Sequence, residues 1–344
     1  MNIDKKYVLD LMQELLSIPS PAGDTGAAME RIQQEFESLG IPTRTTRKGA
    51  LIGQMVGTDH ENHRLIAAHI DTLGGMVSEI KSNGRCRIAN IGNFPWNAYE
   101  GENLIIKTMD GTTYNGSFLP EKASIHIHSE SAGETLRTPK SMEIRIDEPT
   151  ESKQETLDLG IRVGDFVTFD PRTIITESGY VKSRYLDDKA CVAVLFGAVK
   201  YMVDNNITPS HTLDLFISNY EELGHGVSGI SDAVYEMLAL DIGTVGEGHT
   251  SHEHAVTICA KDSRTPYDFG FRKRLVELAQ QNNIDYRVDV HFRYGSDASI
   301  SVLQGADVNF ACIGMGVDGT HHYERTHWDA IENNTRLVIE YARS

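Results

Sequence analysis

The chain has 344 residues, 40% of them hydrophobic and 24% charged, which is enough for one large domain or two ordinary ones with a sizeable core. No apolar run approaches the roughly 20 residues that span a bilayer, and 49 acidic against 32 basic residues leave a net charge of −17, which argues against a nucleic-acid partner. Cys86, Cys191, Cys259 and Cys312 are scattered without a Cys-x-x-Cys pair and read as small buried hydrophobes rather than as disulfides or thiolate ligands.

From the N-terminus, residues 1–6 run into a polar-faced helix pattern rather than an apolar signal core, so a cytoplasmic protein with no membrane partner is expected. Asp4 can cap that helix, in which Val8, Leu11, Met12, Leu15 and Leu16 recur at helical spacing. The run Pro19-Ser20-Pro21-Ala22-Gly23 breaks it. A second amphipathic stretch carries Met29, Ile32, Phe36 and Leu39 and stops at Gly40. Two β-like runs follow, at 51–56 and 65–69.

From about Gly75 to Asp170 the texture changes. Short alternating runs at 87–89, 103–106, 124–128 and 142–146 predict strands, and Asn83-Gly84, Asp110-Gly111 and Asn115-Gly116 are turn signals between them. This pattern predicts a small β-barrel or sandwich. The polar stretch 149–154 reads as a loop. After Tyr180 the spacing predicts helices at 188–203, 231–238, 271–281 and 330–343, and strands at 212–218, 254–260, 286–291 and 308–313. Such alternation argues for an α/β layer with a mixed, mostly parallel sheet and helices on both faces. Residues 75–174 are then a β-rich insertion into a discontinuous α/β domain made of 1–74 and 175–344.

Five short stretches concentrate metal-grade ligands: His69-Ile70-Asp71, Asp187-Asp188, Glu221-Glu222, Asp241 and His321-His322. Each lies at or just after the end of a predicted β-run, where the crevice of an open α/β sheet opens. His69 can bind a metal while Asp71, two residues on, accepts its other ring N–H. Asp187 and Asp188 precede a helix, where one can cap and the other ligate; Asp187 is the bridging candidate. Glu221 and Glu222 diverge at a strand end, so that one can bind metal while the other faces a bound water. Asp241 interrupts the apolar run Leu238-Ala239-Leu240-Asp241-Ile242, a costly place for a carboxylate unless it is paired or metal-bound. His321, His322 and His327 fall within seven residues after a buried run, and spacing does not choose among them. Singly, a solvated loop or a helix cap explains most of these stretches. Together they supply the imidazoles, a bridging carboxylate, terminal carboxylates and a spare base that two neighbouring metal ions require.

In order, these stretches resemble the co-catalytic di-metal aminopeptidases known as the tetrahedral or glutamyl (deblocking) aminopeptidases, metallopeptidase family 42. The resemblance also takes in residues 17–23, the run His69-Ile70-Asp71-Thr72-Leu73-Gly74-Gly75, residues 159–165, Leu186-Asp187-Asp188-Lys189-Ala190, Glu221-Glu222-Leu223-Gly224 and Tyr294-Gly295-Ser296-Asp297-Ala298. It implies a zinc-aminopeptidase-like α/β domain with an inserted PDZ-like β-barrel used in dimerisation, and a homo-oligomer ranging from a dimer to a dodecamer. It further implies two divalent ions, zinc first and cobalt or manganese as alternatives. One would be held by His69, Asp187 and Asp241, the other by Asp187, Glu222 and His321, with Glu221 as general base and Asp71 assisting. The register from Ile313-Gly314 points to His321, with His322 as the alternative. Thr72-Leu73, His225 and His322 depart from the family pattern.

The implied reaction is removal of N-terminal residues from peptides by a water shared between two ions about 3.5–4 Å apart, with Glu221 carrying its proton. A di-metal hydrolase of the same fold acting on N-acyl amino acids or glycans is the nearest alternative, because ligands fix the reaction class and pocket walls fix the substrate. A non-catalytic, metal-stabilised peptide-binding scaffold is the alternative of another class.

Overall fold

In the computed structural model, which describes residues 1–344, the chain resolves into one unit of Met1–Asp71 with Arg172–Ser344 and a second unit of Thr72–Pro171.

The first unit is built on a 12-stranded mixed sheet. Its centre is parallel. Asp59–His69 lies between His211–Ser218 and Val234–Leu240, and Asn309–Asp318 follows Val234–Leu240. Strands on both sides are antiparallel, from Leu51–Met55 at one flank to Glu324–His327 and Tyr180–Ser183 at the other. Leu65, Ala67, Met237, Ala239 and Cys312 cluster with Ala298 of the helix Asp297–Leu303. Their neighbours Ile66, Ala68, Leu238, Leu240 and Ile313 are equally buried. The sheet is therefore covered on both faces, as expected for parallel strands that read as continuous apolar runs.

Helix Leu186–Asp204 is buried nearly all round and packs against Lys5–Ser17 and Trp328–Arg343. Asp4 caps the first helix as its sequence predicts, accepting the Tyr7 N–H at 3.0 Å. No helix is long and apolar enough to cross a membrane.

The second unit is a closed six-stranded antiparallel barrel in the order Gly74–Ile80, Cys86–Ile91, Met142–Ile146, Thr113–Pro120, Asn103–Lys107, Phe166–Phe169. Val77, Ile88, Leu104, Ile106, Phe118, Ile144 and Val167 fill it. Tyr99 stacks on Phe169 with ring centroids 4.0 Å apart.

Three local expectations give way. Residues 231–238, expected as helix, enter the strand Val234–Leu240. An apolar run of that length fits either period, and here Met237 to Leu240 are buried on both faces of a central strand. Residues 124–128, expected as strand, form the helical turn Ile125–His128, closed by His128 N–H to Ser124 C=O at 2.9 Å. Ile125 and Ile127 are exposed there, so their alternation has no sheet face to meet. The loop expected at 149–154 ends early, because Ser152 and Glu155 form a reciprocal capping box that starts the helix Lys153–Asp158.

Candidate active site

Register explains how residues far apart in sequence meet. Ser218 pairs with His69, Ala239 with Ala67, and Leu240 with Ile313. The parallel strands thus end together, and His69, Glu221, Glu222 and Asp241 leave the sheet along one edge. Asp187 and Asp188 arrive from the neighbouring Tyr180–Ser183 side. Their φ/ψ values are non-helical, so the regular helix begins only after them.

His69 Nε2 lies 3.1 Å from Asp187 Oδ1 and 3.7 Å from Glu221 Oε2. His321 Nε2 lies 3.4 Å from Asp187 Oδ2 and 3.7 Å from Glu222 Oε2. Potential ligand atoms of His69, Asp187 and Asp241 all fall within 4.8 Å of one another, as do those of Asp187, Glu222 and His321. Asp187 is common to both groups. His322 is exposed and belongs to neither, and His225 instead stacks on Tyr220.

Asp71 serves this edge in a different manner from the one its spacing suggests. Its main-chain carbonyl, 2.9 Å from His69 Nδ1, accepts that ring N–H, whereas its carboxylate lies 3.6 Å away. The carboxylate oxygens accept the main-chain N–H groups of Glu221 at 3.1 Å and Glu222 at 3.2 Å, and so fix the turn that carries both acids. Asp188 Oδ2 accepts the His69 N–H at 3.0 Å.

Sequence reasoning missed Glu324. This buried side chain accepts the His321 N–H through Oε1 at 3.0 Å and the Asp187 N–H through Oε2 at 3.1 Å, tying two stretches together. The available signal was a lone acid in a short alternating strand, three residues beyond His321. Asp297, quoted only within a motif, is also buried and accepts the Ser218 hydroxyl and the Val227 N–H.

The electrostatics fit cations. Burial pushes the Glu221, Asp188 and Asp241 carboxyls well up, with neighbouring carboxylates adding to the shift. Glu222 is pushed up to about 7, first by burial and then by the charge of Asp187. Burial acts on Asp187 in the same direction, but hydrogen bonds from His321 and His69 outweigh it and hold its carboxyl below the usual range. Burial opposes a charge on His69, yet Asp187, Asp188, Asp71 and Glu221 hold its pKa well above the ordinary value. Glu222 Oε1 and Asp188 Oδ1 are buried without hydrogen-bond partners. Carboxylates thus outnumber the imidazoles, and divalent ions at the two ligand groups would supply the missing positive charge in place of protons.

Comparisons with known proteins identify the family. The M42 glutamyl aminopeptidase family matches residues 49–337. The Bacillus subtilis (strain 168) protein named "Putative aminopeptidase YhfE" is 42% identical, over 98% of this chain and 98% of its own. The aminopeptidase APDkam598 from the archaeon Desulfurococcus kamchatkensis superposes with a TM-score of 0.88 at 20% identity, over 99% of this chain and 95% of its own. The Pyrococcus horikoshii TET1 peptidase, which can assemble into a tetrahedron or a large octahedral shell, does so with a TM-score of 0.83 at 20% identity, over 97% of this chain and 99% of its own. With a mixed-sheet α/β unit, an inserted six-stranded barrel and carboxylate–histidine groups at the sheet edge, the chain belongs to the M42 glutamyl aminopeptidase family and is a metallo-aminopeptidase.

Proposed function

We propose that the protein removes N-terminal residues from peptides. One divalent ion is held by His69, Asp187 and Asp241, a second by Asp187, Glu222 and His321, and Glu221 is the general base. The observation that carries this reading is Asp187. It faces both histidines, one through each carboxylate oxygen, while Glu221 stands beside the groups and belongs to neither. When bound, such a pair of ions lowers the pKa of a shared water and polarises the scissile carbonyl.

The chain's own residues do the rest. Glu221 takes the proton of the attacking water on its carboxylate and returns it to the leaving amine. Asp71 keeps Glu221 and Glu222 in place through their main-chain N–H groups. Glu324 sets the backbone of Asp187 and His321. Imidazole and carboxylate donors favour zinc, with cobalt or manganese as substitutes. A homo-oligomer, from a dimer up to a dodecamer, with the inserted barrel in dimerisation, goes with this reading, and the shells of the TET1 peptidase support an assembly of copies.

Glu221→Gln tests the base. The variant is expected to retain its metal content and lose turnover on unblocked aminoacyl-nitroanilides by at least 100-fold. Turnover near that of the wild type would remove Glu221 from the mechanism. Cleavage of N-acyl amino acids in preference to unblocked substrates would replace the aminopeptidase reading with a deacylase one.

A further inference from the structure

A second cluster of ligand-grade side chains lies on residues that the co-catalytic groups do not use. His249, Asp289 and His291 bring potential ligand atoms within 4.8 Å of one another. His249 Nδ1 is 3.4 Å from Asp289 Oδ1, and the two imidazole rings are 5.3 Å apart between centroids. Asp289 is the penultimate residue of the strand Tyr286–Val290, and His291 follows that strand, its N–H donating to Lys261 C=O at 2.8 Å. His249 comes from the turn after the strand Gly243–Val245.

The surroundings are organised around this trio. Asp289 Oδ2 accepts the Thr250 N–H at 2.9 Å, the Ser251 N–H at 2.8 Å and the Ser251 hydroxyl at 2.7 Å. These bonds pin the segment that carries His249. They also leave Oδ1, which accepts only the adjacent Val290 N–H, facing His249. Thr244 Oγ1 sits 2.7 Å from His291 Nδ1. A ring that donates Nδ1–H to Thr244 carries its lone pair on Nε2, the tautomer a metal-binding imidazole needs, with an outer partner holding it. His291 is 2% exposed, and its Nε2 is buried without a partner. His249 Nδ1 is also buried and makes no hydrogen bond, facing only Asp289 Oδ1 at 3.4 Å, although the His249 side chain as a whole is 21% exposed.

A buried ring nitrogen without a partner, next to a second that makes no hydrogen bond and only faces a carboxylate, is costly as a purely structural arrangement. The other histidine group of the chain, at His254, His327 and Asp329, shows the contrast. There His254 Nδ1 meets Asp329 at 2.8 Å and His327 Nε2 meets Ser178 C=O at 2.8 Å, so the rings are satisfied within the protein.

We propose that His249, Asp289 and His291 form a third divalent-metal site, separate from the co-catalytic pair. Its two imidazoles and one carboxylate select a zinc-class transition ion over calcium or magnesium, which prefer oxygen ligands. The partly exposed His249 side gives the ion its route in and a position open to solvent.

The test is zinc stoichiometry, measured by titrating chelator-stripped full-length protein against a chromophoric zinc chelator. Wild type is expected to bind three equivalents per chain and His249→Ala two, with aminopeptidase activity retained. Asp187→Ala, which strikes both co-catalytic groups, is expected to keep one equivalent, and Asp187→Ala/His249→Ala none. Saturation of the wild type at two equivalents, equal binding by His249→Ala and wild type, or no retained ion in Asp187→Ala would each overturn the third site. Should His249→Ala fail to fold, as judged by circular dichroism, the wild-type and Asp187→Ala counts still decide the matter. Failure of the co-catalytic reading shows separately, as an Asp187→Ala protein that gives up no zinc.

Discussion

Glu324 shows how much a single side chain can organise without touching substrate. Its two oxygens accept main-chain N–H groups from Asp187 and His321, the residues on which the second ligand group depends. Glu324→Gln replaces one acceptor oxygen by an NH2 group that faces an N–H donor, so one bond is lost and its partner is left buried. The expected cost is about 1–3 kcal/mol of stability and roughly a 10- to 100-fold loss of zinc affinity, read by urea midpoint and zinc titration. A variant indistinguishable from wild type in both would deny Glu324 its positioning role. At this scale the candidate residues were legible in the sequence: His69, Asp187, Glu222, Asp241 and His321 all fall within the two groups that could hold a metal ion. The hydrogen-bond partners were not legible. Asp71 uses its carbonyl on His69 and its carboxylate on the Glu221–Glu222 turn, and Glu324 bridges two stretches, because such bonds depend on backbone atoms from distant segments.

Among the secondary-structure elements, the site depends on how closely two strands approach. Gly314 lies beside Asp241, and a Cβ placed on it would sit 1.6 Å from the Asp241 carbonyl oxygen. Gly314→Ala must therefore push Asn309–Asp318 away from the end of Val234–Leu240 and displace Asp241. Overpacking of this kind costs about 1–3 kcal/mol. Loss of the ion proposed for His69, Asp187 and Asp241 should accompany it, measured as a lower thermal midpoint and one fewer zinc equivalent. Unchanged zinc content would show that Asp241 is not needed as a ligand. The strand Val234–Leu240 is also where local reading fell short. A run buried on both sides carries no alternation, and its period is set by the neighbours Asp59–His69 and Asn309–Asp318. The helical turn at Ile125–His128 is the converse, an alternating run with no sheet to join.

For the molecule as a whole, the buried carboxylates make stability depend on pH and metal together. Glu222 is pushed up to about 7 and Glu324 to about 8, in each case first by burial and then by the charge of Asp187. Unfolded glutamates titrate near about 4.3. Between those limits the folded chain holds protons that the unfolded chain has released, so stability falls as pH rises. Above about 6.5, His69, raised above its ordinary value, contributes in the same direction. Chelator-treated protein should therefore lose stability steadily from about pH 4.5 to pH 8, followed by urea midpoints at each pH. Zinc or cobalt should flatten that slope and restore activity. A chelator-treated protein that grows more stable across the window would contradict the charge balance assigned to the site. By itself, the sequence determined the alternation of elements, the β-rich insertion, the residue types of the candidate metal groups and the ordered motifs, because periodicity and short-range chemistry are written in neighbouring residues. Only the tertiary structure decided which strands end together, which of His321 and His322 reaches Asp187, and which buried groups hold the candidate ligands in place. Those outcomes follow from strand register and main-chain hydrogen bonds between segments up to about 250 residues apart, from His69 to His321, and no local window contains both partners.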